Sequence, residues 1–173
     1  TVRDLDQPKI RKGIELGHGV LKALNMGTGF THMEWYLKAN GEVVFGEIGC
    51  RPGGAHLVDQ MNYTSDIDLF REWARAVCWK SFEADATRRY NTAIVFKRAI
   101  GEGRIRAIDG LGSFKDQYGR YLVWDNLLRP GNNRRNWKQT LVSDGFVIVR
   151  HPRWDDALTI ARAAAADIRM YAS

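Results

Sequence analysis

The sequence predicts an α+β fold in which helices pack on antiparallel sheet. Three observations support this class. Apolar residues recur at helical spacing near both ends of the chain and around residue 70. Strand-favouring runs flank short Asn-Gly, Gly-Glu-Gly and Asp-Gly turns, which is typical of hairpins. Strands dominate after about Lys80, so we expect two domains, 1–82 and 83–173.

The composition limits the classes of protein to consider. The chain has 173 residues, of which 45% are hydrophobic and 27% charged, which suits one domain or two small lobes and argues against disorder. No apolar run approaches the roughly 20 residues that span a bilayer. Cys50 and Cys78 provide neither a disulfide framework nor a metal-ligand spacing. We therefore expect a cytoplasmic protein without a membrane segment.

The net charge of +6 lies entirely in the second half of the chain. Residues 1–80 contain ten basic and ten acidic side chains, whereas residues 81–173 contain sixteen and ten. The densest basic segment is 128–139, with Arg129, Arg134, Arg135 and Lys138 around Trp137. Such a segment can bind nucleic acid through phosphate contacts and stacking. A solvated loop is the simpler interpretation because no nucleic-acid motif accompanies it, and an anionic small substrate would fit the same charges.

Four helices are expected. The first runs from about Pro8 to Leu24, and its three glycines (Gly13, Gly17 and Gly19) weaken it by up to about 1 kcal/mol each relative to alanine. These glycines predict that another element packs closely against this helix. The others are a short helix near 56–61, an amphipathic helix that Ser65 or Asp66 caps, and a final helix from about 154 to 171.

A hairpin is predicted around Asn40-Gly41, with strands at about 29–38 and 42–49. A two-residue loop would pair Tyr36 with Phe45 and Glu34 with Glu47. The two carboxylates would then lie on one face with Cβ atoms roughly 4.5 to 5.5 Å apart. At about 5 Å and an effective dielectric near 20, their repulsion is on the order of 3 kcal/mol. This pairing predicts that a cation lies between them.

The residues after the hairpin indicate which cation and which ligand. Arg51 can bind a phosphate oxygen, and Pro52-Gly53-Gly54 lets the backbone approach a ligand before a helix. Two carboxylates suit Mg²⁺ or Mn²⁺, which also use substrate phosphates and water as ligands. Taken singly, each feature has a simpler explanation, such as a solvated pair neutralised by lysines, a turn, or a surface arginine. Their occurrence within 23 residues favours an active site.

The segment HMEWYLKANGEVVFGEIGCRPGG, residues 32–54, resembles the metal-binding hairpin of the ATP-grasp superfamily. The signature of that hairpin is often Glu-x-Asn-x-Arg, and here Gly49 replaces the amide ligand. Arg51-Pro52-Gly53-Gly54 with His56 is similar to the branch of L-amino-acid ligases, carbamoyl-phosphate synthases and biotin carboxylases. Segments after residue 90 resemble the C-terminal sheet domain of those ligases. The resemblance implies the C-terminal half of an ATP-grasp fold, then a small antiparallel-sheet domain with a C-terminal helix.

The resemblance also implies ATP-dependent ligation of a carboxylate to an amine through an acyl phosphate, with ATP and Mg²⁺ (or Mn²⁺) as cofactors. Glu34 and Glu47 would bind the metal, and Arg51 would stabilise the transferred phosphoryl group. Tyr36 and Phe45 would form an apolar wall for the nucleotide. The substrate-binding candidates are Gly53, Gly54, His56 and His32.

Family members have further domains and a lysine-bearing lid before this region, so the resemblance implies that the chain is the C-terminal portion of a ligase. We expect it to need the missing N-terminal part and to be inactive alone. Two other classes stay open: a non-catalytic ATP-grasp relative, which the Gly49 departure favours, and a basic nucleic-acid-binding module. The identity of the substrates and the oligomeric state, a homodimer included, are open as well.

Overall fold

A computed structural model describes residues 1–136, 138–140 and 142–173. The chain clusters into two compact units. The N-terminal unit consists of residues 2–88, and the C-terminal unit consists of Thr1 and residues 89–173. Helices and mainly antiparallel strands make up both, so the α+β class is confirmed. The functional domain bounds 1–82 and 83–173 stay a prediction.

The N-terminal unit contains a hairpin and three helices. In chain order its elements are α1 (Pro8–Ala23), β1 (His32–Leu37), β2 (Val43–Gly49), α2 (Leu57–Ser65) and α3 (Leu69–Trp79). Each was expected from the sequence, but β1 begins later than the predicted residue 29, α2 continues past the predicted residue 61 to Ser65, and the start of α3 differs. Asp68, not Ser65 or Asp66, is its N-cap, and its carboxylate accepts a hydrogen bond from the Arg71 backbone N–H at 3.1 Å.

Two glycines of α1 allow the helix to pack against β1. A Cβ atom built on Gly13 would lie 2.3 Å from Cζ2 of Trp35, and one on Gly17 would lie 3.3 Å from Cε of Met33. The close packing that the glycines predicted is therefore confirmed at these two positions. Gly19 has no atom within 4 Å of its built Cβ. Trp35 and Met33 thus mark the face of the hairpin that packs on α1.

Helix α3 directs its apolar stripe away from the rest of its unit. Its buried residues are Leu69, Glu72 and Ala76. Phe70, Trp73 and Val77 are spaced i, i+3 and i+7, and they are 49%, 38% and 64% exposed. The side chains that would form the core-facing stripe of an amphipathic helix are therefore on the outer surface.

The buried Glu72 carboxylate forms a hydrogen bond that holds the segment after α3 against this helix. Its Oε2 accepts a hydrogen bond from the Glu83 backbone N–H at 2.8 Å, and its Oε1 accepts one from Arg75 at 3.1 Å. Arg75 also pairs with the Glu83 carboxylate at 2.5 Å. A carboxylate that is only 3% exposed is stable there because a cation and a backbone donor both compensate its charge.

The C-terminal unit has most of the buried apolar side chains. Its elements are β3 (Asn91–Phe96), β4 (Ile100–Gly101), β5 (Ile105–Asp109), α4 (Leu111–Tyr118), a 3-10 helix (Gly119–Tyr121), β6 (Leu122–Asp125), β7 (Phe146–His151), α5 (Trp154–Asp167) and β8 (Arg169–Ala172). They form two three-stranded sheets, ordered β3-β7-β6 and β4-β8-β5. Ile105, Phe114, Ile160 and Ile168 are among the residues of the hydrophobic core. None of the helices in the described ranges is long and apolar enough to cross a membrane.

Neither hairpin predicted in this unit forms, although the two strands expected around the Gly101–Gly103 turn are present. The strand after Asp144-Gly145 is β7, whose Val147, Ile148 and Val149 are fully buried, and it pairs with β3 and β6. Because β3 and β6 occupy both edges of β7, the residues immediately before Asp144 do not pair with it. The strands on either side of the Gly101–Gly103 turn both pair with β8, β4 in parallel and β5 in antiparallel orientation.

The final helix is confirmed but ends at Asp167, before the expected Tyr171. Ile168 adopts an extended backbone, and Met170 of β8 is buried, so the last residues contribute more to the core as a strand. Lys97 lies at the C-terminal end of α5, where its ammonium donates to the Ala165 carbonyl at 2.7 Å. Burial, with Arg169 nearby, lowers the pKa of Lys97.

Replacing Gly13 by alanine should destabilise the protein by roughly 1 to 3 kcal/mol, because the new methyl group overlaps the Trp35 ring. Urea denaturation measures this change. Gly19→Ala in the same helix is the matched control and should be neutral or stabilising by up to about 1 kcal/mol. Equal effects of the two substitutions would contradict the packing of α1 on Trp35.

Candidate functional site

The hairpin has a longer loop than the sequence predicted. The Lys38 backbone N–H donates to the Glu42 carbonyl at 2.9 Å, and the Gly41 N–H donates to the Lys38 carbonyl at 2.9 Å. The loop therefore contains Ala39, Asn40 and Gly41. Gly41 has φ of 81°, which is the left-handed position of three-residue hairpin loops. The added loop residue shifts the pairing next to the loop by one position.

A β-bulge further along β2 shifts the pairing back. Trp35 lies opposite Phe45, whereas Glu34 lies opposite Glu47, so Gly46 is an extra residue on β2. A Cβ on Gly46 would lie 2.9 Å from Cε2 of Tyr36 and 3.0 Å from the Glu34 carbonyl oxygen. The predicted pairing of Glu34 with Glu47 is thus confirmed, although two irregularities produce it.

The predicted pairing of Tyr36 with Phe45 is wrong. Tyr36 lies opposite Val44, and Phe45 lies opposite Trp35. Because side chains alternate along a strand, Tyr36 shares the face of Glu34, whereas Phe45 is on the face that packs on α1. The added loop residue causes this difference, because it shifts the strand register by one residue between the loop and the bulge.

Neither glutamate forms an ion pair with a cationic side chain of residues 1–136, 138–140 or 142–173. Both Glu34 and Glu47 are exposed. The nearby lysine of the hairpin pairs elsewhere, since Lys38 lies 2.8 Å from Glu42. Water screens exposed charges, so their repulsion is smaller than the value expected from the sequence. The simpler explanation, neutralisation by neighbouring lysines, has no support in this geometry.

The residues present fit a divalent cation that takes few protein ligands. Two carboxylates are the usual protein contribution to a Mg²⁺ site that also uses water and phosphates. In the described part of the chain, no group of three or more His, Cys, Asp or Glu side chains could hold a metal ion. A Cβ on Gly49 would lie 3.4 Å from Cγ and 3.5 Å from Nε of Arg51. Arg51 therefore lies over the position from which an amide ligand would project.

The loop after β2 holds the remaining candidates. Arg51 is exposed, and its Nη1 donates to the Pro52 carbonyl at 3.0 Å. A Cβ on Gly53 would lie 3.2 Å from Cδ2 of His32, so the structure brings these two residues together. His32 is also opposite Gly49 in the hairpin. The Gly54 position is open, with no atom within 4 Å of a built Cβ.

His56 is held by a residue that the sequence did not single out. It is the N-cap of α2, and its Nδ1 lies 2.9 Å from the Asp59 carboxylate. Ala55 and His56 have φ of 50° and 59°, a left-handed conformation that costs about 1 kcal/mol or more for each non-glycine residue. The spacing of His56 and Asp59 on one helical turn was the available sequence signal.

A cavity of about 440 Å³ lies at the loop end of the hairpin. It is lined by Pro8, Lys9, Lys12, Leu37, Lys38, Ala39 and Gly41. Lys12 donates to the Gly41 carbonyl at 2.9 Å. Glu34 and Glu47 do not line this cavity, and they lie nearer the opposite end of the strands.

The basic segment is used largely for internal contacts. Arg129 pairs with Asp125 at 2.8 Å, and the Arg135 guanidinium donates to the Ser143 carbonyl, while the Arg135 backbone N–H donates to the Asp144 carboxylate at 2.6 Å. Asp144 is fully buried and also accepts from the Ala99 N–H, with Arg134 3.6 Å away. Trp137 lies outside the described residues. These contacts account for much of the basic charge without nucleic acid.

The Asp125 carboxylate forms ion pairs with two cationic side chains of the C-terminal unit. Its carboxylate lies 2.7 Å from Lys115 and 2.8 Å from Arg129. Burial alone would raise the pKa of Asp125, but hydrogen bonds from Arg129, Lys115 and the Leu127 N–H outweigh it and hold the pKa below its ordinary value. The ionised carboxylate therefore stabilises the folded state.

Asp125→Asn should lower the free energy of unfolding at pH 7 by roughly 1 kcal/mol, since both cationic partners are about half exposed. The contribution is complete above about pH 4 and is lost as the pH falls through the lowered pKa of the folded state. Urea denaturation across this range should show the difference from wild type shrinking towards low pH. A difference that does not depend on pH would contradict the ion pairs.

Comparison with known proteins identifies the fold. No protein-family model matches the sequence, and no curated protein matches it significantly. Among solved structures, the chain is similar to an L-amino acid ligase from Bacillus licheniformis, with a TM-score of 0.77 and 18% identity over 98% of this chain. N5-carboxyaminoimidazole ribonucleotide synthetase from Thermotoga maritima matches with a TM-score of 0.69 and 19% identity over 97%.

A third similar structure is phosphoribosylglycinamide synthetase from Anaerococcus prevotii, with a TM-score of 0.69 and 17% identity over 98% of this chain. The chain spans 44% of the length of each of these three proteins. All three are ATP-grasp enzymes, and the matched region is their C-terminal part. The chain therefore has the fold of the C-terminal part of an ATP-grasp enzyme.

Proposed function

We propose that the chain is the C-terminal part of an ATP-dependent carboxylate-amine ligase, in which Glu34 and Glu47 bind the Mg²⁺ or Mn²⁺ that accompanies ATP. One observation carries this proposal. Two opposed carboxylates lie on one face of the hairpin, and no ion pair in the described residues involves either of them. Such a pair is favourable when an external cation lies between the two groups. The similar structures are a ligase and two synthetases, which supports this reaction class.

The neighbouring residues have complementary roles in the proposal. Arg51 binds and neutralises the transferred phosphoryl group, because a guanidinium matches phosphate oxygens in geometry and charge. Gly53 and Gly54 let the carboxylate substrate approach the backbone, with His32 and His56 beside them. Tyr36, on the face of the glutamates, borders the nucleotide. Phe45 has no role in the proposal because it lies on the opposite face.

The proposed reaction has two displacements. An oxygen of the substrate carboxylate attacks the γ-phosphorus of ATP, the bond to ADP breaks, and an acyl phosphate forms. The amine then attacks the acyl carbon, and phosphate leaves. A divalent cation held by Glu34 and Glu47 would neutralise part of the phosphate charge in the first step. The protein contributes mainly by positioning reactants and by the fixed charge of Arg51.

The proposal includes a partner for the N-terminal unit. Only Val58, Leu69 and Ala76 are buried apolar residues in this unit among those described, whereas the stripe of Phe70, Trp73 and Val77 faces outward. The similar structures are more than twice as long as this chain, since it spans 44% of each. We propose that the outward stripe of α3 packs against the remainder of the ATP-grasp fold in the whole protein. The chain alone should then be inactive.

Substituting the outward stripe tests whether it belongs to the core of this chain. Val77→Ser should change the free energy of unfolding by no more than about 1 kcal/mol, because Val77 is 64% exposed. Leu69→Ala, in the same helix but buried, should cost about 2 kcal/mol or more. Urea denaturation at low protein concentration measures both. A Val77→Ser variant as costly as Leu69→Ala would show that the stripe is covered within this chain or by a second copy.

Metal binding can be measured on this chain. Mn²⁺ titration followed by electron paramagnetic resonance should show a site that Glu34→Gln or Glu47→Gln weakens at least about tenfold. Glu42→Gln is the matched control, since Glu42 is on the same hairpin but pairs with Lys38, and it should leave binding unchanged. Equal effects of all three variants would contradict a site at the opposed pair.

Turnover of the whole protein distinguishes a ligase from a non-catalytic relative. With Mg-ATP, a carboxylate and an amine, a ligase releases ADP and phosphate in step with product. Mn²⁺ binding without any ADP release for a panel of amino acids would favour the non-catalytic relative.

A further inference from the structure

Glu47 depends on the bulge to face Glu34. Next to the loop, pairs such as Tyr36 with Val44 have residue numbers that sum to 80. If this register continued along the strands, Glu34 would lie opposite Gly46, and Glu47 would lie opposite Met33. Beyond the bulge the numbers sum to 81, as for Glu34 and Glu47. The one-residue shift moves Glu47 from one face of the hairpin to the other.

The face that Glu47 would otherwise join is unsuitable for a charge. Met33 and Trp35 are half-buried there, and each contacts a glycine position of α1. An unpaired carboxylate among these side chains would lose hydration without gaining a partner. With the bulge, Ile48 is opposite Met33 and takes that place. The bulge therefore puts an apolar residue on the α1 side and the carboxylate on the outer side.

Gly46 is the residue that lets the two strands approach at the bulge. A Cβ at this position would lie 3.0 Å from the Glu34 carbonyl oxygen, which is backbone and cannot turn away, and 2.9 Å from the Tyr36 ring. Its φ is outside the left-handed region, so the requirement for glycine is one of space. A larger residue would require the Glu34 backbone to move by at least a few tenths of an ångström.

We infer that Gly46 is a positioning residue for the metal site. The three-residue loop shifts the strand register by one residue, and the bulge at Gly46 shifts it back, which places Glu34 opposite Glu47. This inference rests on the proposed function for its role in metal binding, whereas the register itself does not. It predicts an unusual order of effects. Removing Gly46 should be milder than enlarging it, because deletion joins Phe45 to Glu47 and keeps Glu47 opposite Glu34 without a bulge.

The test compares Gly46→Val, deletion of Gly46, and the control Gly27→Val, whose built Cβ has no atom within 4 Å. Cross-strand nuclear Overhauser effects report the register, and Mn²⁺ titration by electron paramagnetic resonance reports the site. In Gly46→Val the contact of residues 34 and 47 should be lost and Mn²⁺ affinity should fall at least tenfold. The deletion and the control should keep the contact, with affinity within about threefold of wild type.

Retention of the contact and the affinity in Gly46→Val would overturn the inference, and so would loss of the contact in the deletion variant for any reason, unfolding included. Failure of the proposed function has a different signature. In that case the contact would follow the predicted order across the variants, but wild type would not bind Mn²⁺ at this pair.

Discussion

The opposition of two like charges on one hairpin face is the constraint on which this site depends. Glu34 and Glu47 are opposite each other, and the described residues provide no ion-pair partner for either. Solvent lowers their repulsion but does not turn it into attraction. A divalent cation between them would attract both carboxylates and so outweigh their repulsion, since both are hard oxygen ligands. The arrangement is thus better suited to binding than to stability.

Helix α1 packs on one face of the hairpin, and the other face, with the two glutamates, is exposed. Helix α1 contacts Trp35 and Met33 through its glycines, so the opposite face, with Glu34 and Tyr36, stays accessible. The loop after β2 adds Arg51, Gly53 and the His56-Asp59 pair at the same end of the hairpin. In contrast, the C-terminal unit has a continuous apolar core and uses many of its cations internally. The residues of the proposed site therefore lie in the unit with fewer buried apolar side chains.

The sequence predicted this hairpin for reasons that were only partly right. Asn40-Gly41 marked the turn, and Glu34 does face Glu47, but an extra loop residue and the Gly46 bulge each shift the register by one. The two register shifts cancel at the glutamates, which lie beyond the bulge, but not at Phe45, which lies before it. No local sequence pattern predicts that two such shifts cancel. The glycines of α1 were informative because a missing side chain implies close packing. The outward stripe of α3 and the partners of β7 could not be predicted, since both depend on residues distant in sequence.

Paramagnetic broadening tests most directly whether the opposed glutamates bind a divalent cation. Adding substoichiometric Mn²⁺ to the ¹⁵N-labelled chain should broaden the amide signals of residues 33–35 and 46–49 first. Residues near other acidic side chains, such as Asp4 or Asp116, should be affected only at higher concentration. Broadening that begins elsewhere, or that spreads evenly over all acidic residues, would contradict a metal site at Glu34 and Glu47.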